Sequence, residues 1–155
     1  MSLKIALGSD HAGYLLKEQI KQYLAELGHE AVDYGTASEA SVHYPIYVQY
    51  AAKAVSHGLC DLGIVFGGSG NGEAIAANKV SGVRCALCWT EETGRLAKEH
   101  NNANVISFGG RVVSVEVAKK AVKAWLEADF EGGRHGIRIN MLEEDLDPPA
   151  GFDRF

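Results

Sequence analysis

The sequence predicts a doubly wound α/β domain, a parallel sheet covered by helices on both faces. Short apolar runs such as KIALG, LGIVF and VISF recur along its 155 residues, and turn residues follow each of them. Between these runs lie segments with apolar residues at helical spacing. No long linker, low-complexity stretch or internal repeat divides the chain, and its length buries a sufficient core without disulfides or metal.

The first strand is Lys4 to Gly8. A helix from Tyr14 to Leu27 carries Leu16, Ile20, Leu24 and Leu27 on one stripe and stops at Gly28. Ala31 to Tyr34 is the second strand. Pro45 then opens a helix through Ser56 in which Ile46, Tyr50, Ala54 and Val55 share a face. Leu62 to Phe66 is the third strand, followed by a glycine-rich turn and a helix over Glu73 to Asn78. Val83 to Leu87 is the fourth strand, with a helix from Glu91 to about His100 after it. Val105 to Phe108 is the fifth. Ser114 caps a helix to Ala128, and a more polar helix runs from His135 to about Glu144. Residues 1–144 form the single domain. The tail Asp145 to Phe155 (DLDPPAGFDRF) cannot extend a helix and is extended or packed on a partner subunit.

Composition excludes several classes. A net charge of -5 argues against a general nucleic-acid surface, so an anionic ligand must meet a local cluster of basic residues. No stretch reaches 18 apolar residues, and MSLKIALGSD has no secretory pattern, so the expected location is the cytoplasm. Three cysteines, at no disulfide-framework spacing, agree with a reducing compartment. Cys85 and Cys88 form a C-x-x-C on a strand, where positions three apart face opposite ways, which speaks against a metal or redox pair.

In an open parallel sheet, ligands bind beyond the carboxyl ends of the strands where the strand order reverses. With an order 2-1-3-4-5, strands one and three meet there, bringing SDHAG (Ser9 to Gly13) opposite GGSGNGE (Gly67 to Glu73). WTEET and GGRVV follow strands four and five. The turn GGSGNG suits a nest of convergent backbone N–H groups, but no G-K-S/T follows and no G-x-G-x-x-G closes the first strand, so known nucleotide motifs are disfavoured. A turn needing only positive φ is the plain alternative. Glu73 is either a helix-start acid stabilised by the dipole or a general base beside an anion hole.

A phosphate would be repelled by Glu73, so it belongs elsewhere. Arg111 follows a double glycine, and GGRHGIR places Arg134 and Arg138 four apart on one helical face, suited to an anion, to ion pairs with Glu143 and Glu144, or to plain solvation. His29 and His57 flank turn glycines and read as surface residues. His11, in the first loop, and His100, in the turn EHNNANV, join Asp10, Glu73 and Asn101 as proton donors and acceptors suited to sugar chemistry.

The segments GSDHAGYLLK, HYPIY, GGSGNGEAIAANK, EHNNANV, SFGGRVV and EGGRHGIR, in this order, resemble the ribose-5-phosphate isomerase B family, which includes the subunits of galactose-6-phosphate isomerase. The match runs from Lys4 to about Leu142. The resemblance implies a Rossmann-like sandwich, dimers or tetramers with sites at the subunit interface, and no metal or cofactor. It implies interconversion of ribose 5-phosphate and ribulose 5-phosphate through a cis-enediolate, in the pentose phosphate pathway. A tetrulose, allose or galactose phosphate is the alternative substrate, and a non-catalytic sugar-phosphate-binding module is the alternative of another class. With no cysteine in the loop after strand three, the chain resembles the subfamily whose base is a glutamate. On that resemblance Glu73 is the base, and Ser69 with Gly68, Gly70, Asn71 and Gly72 forms the anion hole. His100, helped by Asp10, opens the sugar ring, Asn101 and Tyr44 line the sugar, and His11, Arg111, Arg134 and Arg138 take the phosphate, some of them from a neighbouring subunit. Where family members acting on ribose 5-phosphate often have an acid before Tyr-Pro, this sequence has His43.

Overall fold

The computed structural model describes residues 1–154. The chain alternates β1 (Lys4–Ser9), α1 (Tyr14–Glu26), β2 (Glu30–Asp33), α2 (Tyr44–Ser56), β3 (Leu62–Gly67), α3 (Asn71–Asn78), β4 (Cys85–Leu87), α4 (Glu91–Glu99), β5 (Val105–Gly109), α5 (Val115–Glu127) and α6 (Arg134–Asn140). All strand pairs are parallel, and the sheet order is β2-β1-β3-β5-β4. The α/β class is as the sequence predicts, whereas the last two strands are exchanged relative to the expected order. Burial explains the exchange. All of β5 is buried, which suits an inner strand, while β4 is three residues long and half-buried, as edge strands tend to be. The Asn78 amide closes the β4 edge by accepting from Cys85 N–H at 2.8 Å and donating to Cys85 C=O at 2.9 Å.

Alternation along the strands divides the core. Ile5, Leu7, Ile64, Phe66, Ile106 and Phe108 pack with Leu16, Ile20 and Leu24 of α1, Ala97 of α4 and Trp125 of α5. On the other face Ala6, Val65 and Val105 meet Val48 and Ala51 of α2 and Ala77 of α3. Cys88 belongs to the first cluster and Cys85 packs against the second, so the two thiols do face opposite sides of the sheet.

The face expected for α2 is corrected. Ala54 and Val55 are buried as expected, but Ile46 and Tyr50 are exposed, and Val48, Ala51 and Ala52 complete the buried stripe. The helix lies so close to β1 that a Cβ on Gly8 would stand 2.7 Å from Tyr47 C=O and 3.0 Å from Ala51 Cβ, which leaves room only for small side chains. The last helix is also shorter than expected. It ends at Asn140, and a 3-10 turn at Met141–Glu143 follows, in which Met141 and Leu142 are exposed. Ser114 caps α5 by accepting from Val117 N–H, and Gly28, with φ +85°, follows α1 as the sequence indicates.

One charge is buried where sequence patterning gives no warning. Lys17 lies on the core side of α1 with no exposed surface, and its Nζ donates to both Asp33 oxygens at 2.6 Å. Lys21 adds a contact at 2.8 Å, so α1 is clamped to the end of β2. Among the described residues no helix is long and apolar enough to cross a membrane.

Candidate active site

Three adjacent strand ends build the crevice. Ser9 pairs with Phe66, and Gly67 pairs with Gly109, so the loops after β1, β3 and β5 emerge side by side. The exchange of β4 and β5 therefore places the Gly109–Val113 loop directly against the glycine turn. Gly110 N–H donates to Gly67 C=O at 2.7 Å, Arg111 N–H to Gly68 C=O at 3.1 Å, and the buried Ser107 hydroxyl to Gly70 C=O at 2.8 Å. A trans peptide sets the next N–H opposite each C=O, so pinning these three carbonyls toward β5 turns the N–H groups of Gly68, Ser69 and Asn71 the other way. The Asn71 N–H is engaged by Ser69 Oγ at 3.2 Å. Gly70 closes the turn at φ +83°, and a Cβ there would stand 2.9 Å from the Phe108 carbonyl carbon.

Glu73 lies in the first turn of α3 and is 4 % exposed. Its carboxylate rests on Gly67, where any Cβ would overlap it. Burial raises its pKa above the ordinary 4.5 and the nearby Asp10 charge adds to this, against the opposing pull of the Glu73 and Gly70 N–H groups. Desolvation thus outweighs the helix terminus, which a simple helix-start acid would not show.

The remaining groups of this crevice are held from neighbouring loops. Asp10 is buried, with Oδ1 accepting from Ala12 N–H at 2.9 Å and Gly13 N–H at 3.0 Å. His11 Nδ1 accepts from Val42 N–H at 3.2 Å, which in the neutral ring leaves the proton on Nε2. Tyr44, at the start of α2, lays its ring against Gly72, and the exposed Arg111 folds over Gly68. Asp10, His11, Tyr44, Gly68 to Glu73 and Arg111 therefore form one cluster.

His100, Asn101, Arg134 and Arg138 form another. His100 ends α4 at the amino side of the sheet, and four residue steps of about 3.3 Å put roughly 13 Å between the two ends of β5 alone. The turn after His100 is fixed from both sides. Arg84 donates to Asn101 C=O and Asn102 C=O, each at 2.9 Å, and the Trp125 indole donates to Ala103 C=O at 2.9 Å. His100, Asn101, His135 and Arg138 with Ile139 and Leu142 line a hollow of about 290 Å³. Arg134 and Arg138 are exposed on α6, and among the described residues neither they nor Arg111 makes an ion pair, so the alternative of bridges to Glu143 and Glu144 is not realised.

The sequence sets His135 with Arg134 and Arg138 in GGRHGIR as a basic group, but its pairing with His100 and the part of Glu131 are not read from it. The His135 ring stacks on His100 with centroids 4.1 Å apart at 11°, and Glu131 Oε2 stands 3.3 Å from His135 Nε2 and 3.9 Å from His100 Nε2. The four-residue spacing of Glu131 and His135 is the one signal that could have pointed there. The three ligand atoms lie within 4.8 Å of one another, a spacing open to a metal ion, but the near-parallel rings and the two neighbouring guanidiniums oppose a dication. His29, expected at the surface, is half-buried and accepts from Leu3 N–H at 3.2 Å.

A parallel α/β sheet whose carboxyl-end crevice sets a buried carboxylate beside a turn of outward N–H groups is equipped to remove a proton and to hold the oxyanion that results. The chain belongs to the Ribose/Galactose Isomerase family, whose profile matches residues 5–142. It is 45 % identical over 139 residues to ribose-5-phosphate isomerase B of Escherichia coli, covering 90 % of this chain and 93 % of that one. Among solved structures, ribose-5-phosphate isomerase B of Clostridium thermocellum superposes with a TM-score of 0.88 at 46 % identity, over 89 % of this chain and 93 % of the other. The enzyme of Mycoplasma genitalium with bound ribulose-5-phosphate gives 0.85 at 41 % identity, over 90 % and 93 %.

Proposed function

We propose that the protein is an aldose-ketose isomerase interconverting D-ribose 5-phosphate and D-ribulose 5-phosphate through a cis-enediolate. The observation that carries the reading is the Glu73 carboxylate, buried with a raised pKa against Gly67 at the mouth of the nest. Glu73 takes the proton from C2 and returns it to C1. The enediolate oxygens face those N–H groups of the Gly68 to Gly72 turn that neither Ser69 Oγ nor the Glu73 carboxylate engages, each such donor contributing roughly 3–4 kcal/mol to the transition state. Ser69 and Asn71 edge that turn and Tyr44 borders the sugar.

Ring opening falls to His100 with Asp10, and the phosphate to His11, Arg111, Arg134 and Arg138, with Asn101 beside the sugar. His100, Asn101, Arg134 and Arg138 stand at the far end of the sheet from Glu73 in the same chain, so they serve the crevice of a second copy in a homodimer or a tetramer built from it. Three unpaired thiols, two of them buried, suit a cytoplasmic enzyme. Residues 1–144 form the isomerase unit, and the tail from Asp145 onward is extended or packs on a partner subunit.

Incubation of the protein with ribose, allose, galactose and tetrulose phosphates in heavy water tests the reading. The expected result is fastest exchange of the carbon-bound hydrogen in ribose 5-phosphate. Fastest exchange in another sugar moves the substrate assignment, and no exchange in any of them ends the enzyme reading in favour of a binding module.

A further inference from the structure

We infer that Glu131 and His135 are positioning residues for His100, with the His135 ring as its backing wall and Glu131 as the acid that faces both imidazoles. The inference rests on the reading of His100 as the ring-opening group. Opening a furanose breaks the bond from C1 to the ring oxygen: that oxygen gains a proton, the C1 hydroxyl loses one, and an aldehyde results. A side chain moving either proton must keep one ring orientation and a mobile proton.

Local geometry supplies both. His100 stacks on His135 at 4.1 Å and 11°, an arrangement that leaves one face of the His100 ring covered. His135 is 8 % exposed, and its Nε2 is buried with no hydrogen-bond partner, its closest counter-charge being Glu131 at 3.3 Å. Glu131 is tied in turn to the end of α4, its N–H donating to Glu99 C=O at 3.0 Å, one residue before His100. The charged groups facing His135 are His100 from α4, Glu131 from the preceding loop, and Arg134 and Arg138 from α6. Burial lowers the His135 pKa, and the His100 and Arg134 charges lower it further against Glu131.

The test separates ring opening from proton transfer. Ribulose 5-phosphate cannot close to a furanose, since its 5-oxygen is esterified, so exchange of its C1 hydrogen with heavy water needs Glu73 and the nest but no ring opening. Turnover of ribose 5-phosphate and this exchange are measured for His135→Ala, His135→Phe, Glu131→Gln and His100→Ala, each checked for a native circular dichroism spectrum and Tm. His135→Ala and Glu131→Gln should lower kcat on ribose 5-phosphate about ten- to a hundredfold while exchange stays within about twofold. His135→Phe, which restores a stacked ring, should recover part of the loss. A parallel fall in both reactions shows a merely structural role and overturns the inference, as does an unchanged kcat. Full turnover in His100→Ala removes the ring-opening assignment itself, a separate outcome from the failure of its two neighbours.

Discussion

At the carboxyl ends of β1, β3 and β5 the functional atoms are largely backbone, locked by Ser107, Gly110 and Arg111 and closed over a buried Glu73. At the amino side of the sheet they are long side chains on α6 and at the end of α4, with Asn101, Arg134 and Arg138 exposed and the arginines without counter-ions among the described residues. The first region is preorganised within one chain, and mutations there should strike the chemical step. The second is shaped to receive something, and changes there should strike binding and assembly first.

The largest expected effect comes from Glu73→Gln. Loss of a general base should lower kcat by at least ~10²-fold. The same change should raise Tm at neutral pH, because burial holds the Glu73 pKa above its unfolded value and the ionised carboxylate is a cost to the fold. Wild-type kcat/KM should fall as pH drops through that raised pKa, placing the acidic limb above the 4.5 of an ordinary glutamate. A limb at or below that value, or a Tm that drops in the variant, would contradict the burial argument.

Mixing Glu73→Gln with His100→Ala chains sharpens the contrast between regions. If each crevice takes its base from one copy and its histidine from the other, random reassortment into dimers leaves one intact site in half of them, and activity should return to roughly a quarter of wild type. Activity staying at the level of the separate variants would show that each chain works alone. Arg138→Ala should raise KM for the sugar phosphate about tenfold, the loss of one charge-assisted hydrogen bond, with a smaller change in kcat. A kcat effect exceeding the KM effect would move Arg138 into the chemical step.

The smallest expected effect on activity lies away from both regions. Lys17→Met should lower the unfolding free energy by about 1–3 kcal/mol, measured in urea, by leaving Asp33 short of its main donor. Burial alone would raise the Asp33 pKa, but hydrogen bonds from Lys17 and Lys21 hold it below 3.8. That stability is present above the unfolded value and is lost as pH falls through the folded one. The variant should therefore show a flatter acid dependence than wild type, and equal slopes would refute the clamp.

Much of the architecture is legible in the sequence because it depends on local rules. Pro45 in the first turn of α2, Ser114 as a cap and Gly28 at positive φ act within a few residues of themselves. The faces of Cys85 and Cys88 follow from the two-residue period of a strand. The face of α2 is legible in Ala54 and Val55 but not in Ile46 and Tyr50, because periodicity alone cannot say how close a helix approaches its sheet: Ala51 is buried at a contact with Gly8 that leaves no room for a large side chain. Lys17 escaped notice because its partner Asp33 is 16 residues away.

By itself the sequence determined the α/β class, the glycine turn with its acid, and the set of residues from which a site could be drawn, since periodicity, capping and turn chemistry are properties of neighbouring residues. Tertiary structure decided that β5 is inside and β4 at the edge, that burial outweighs the helix terminus at Glu73, and that His100 and Glu73 lie at opposite ends of one sheet. Those outcomes depend on distances across the fold and on exclusion of water, which no local pattern encodes.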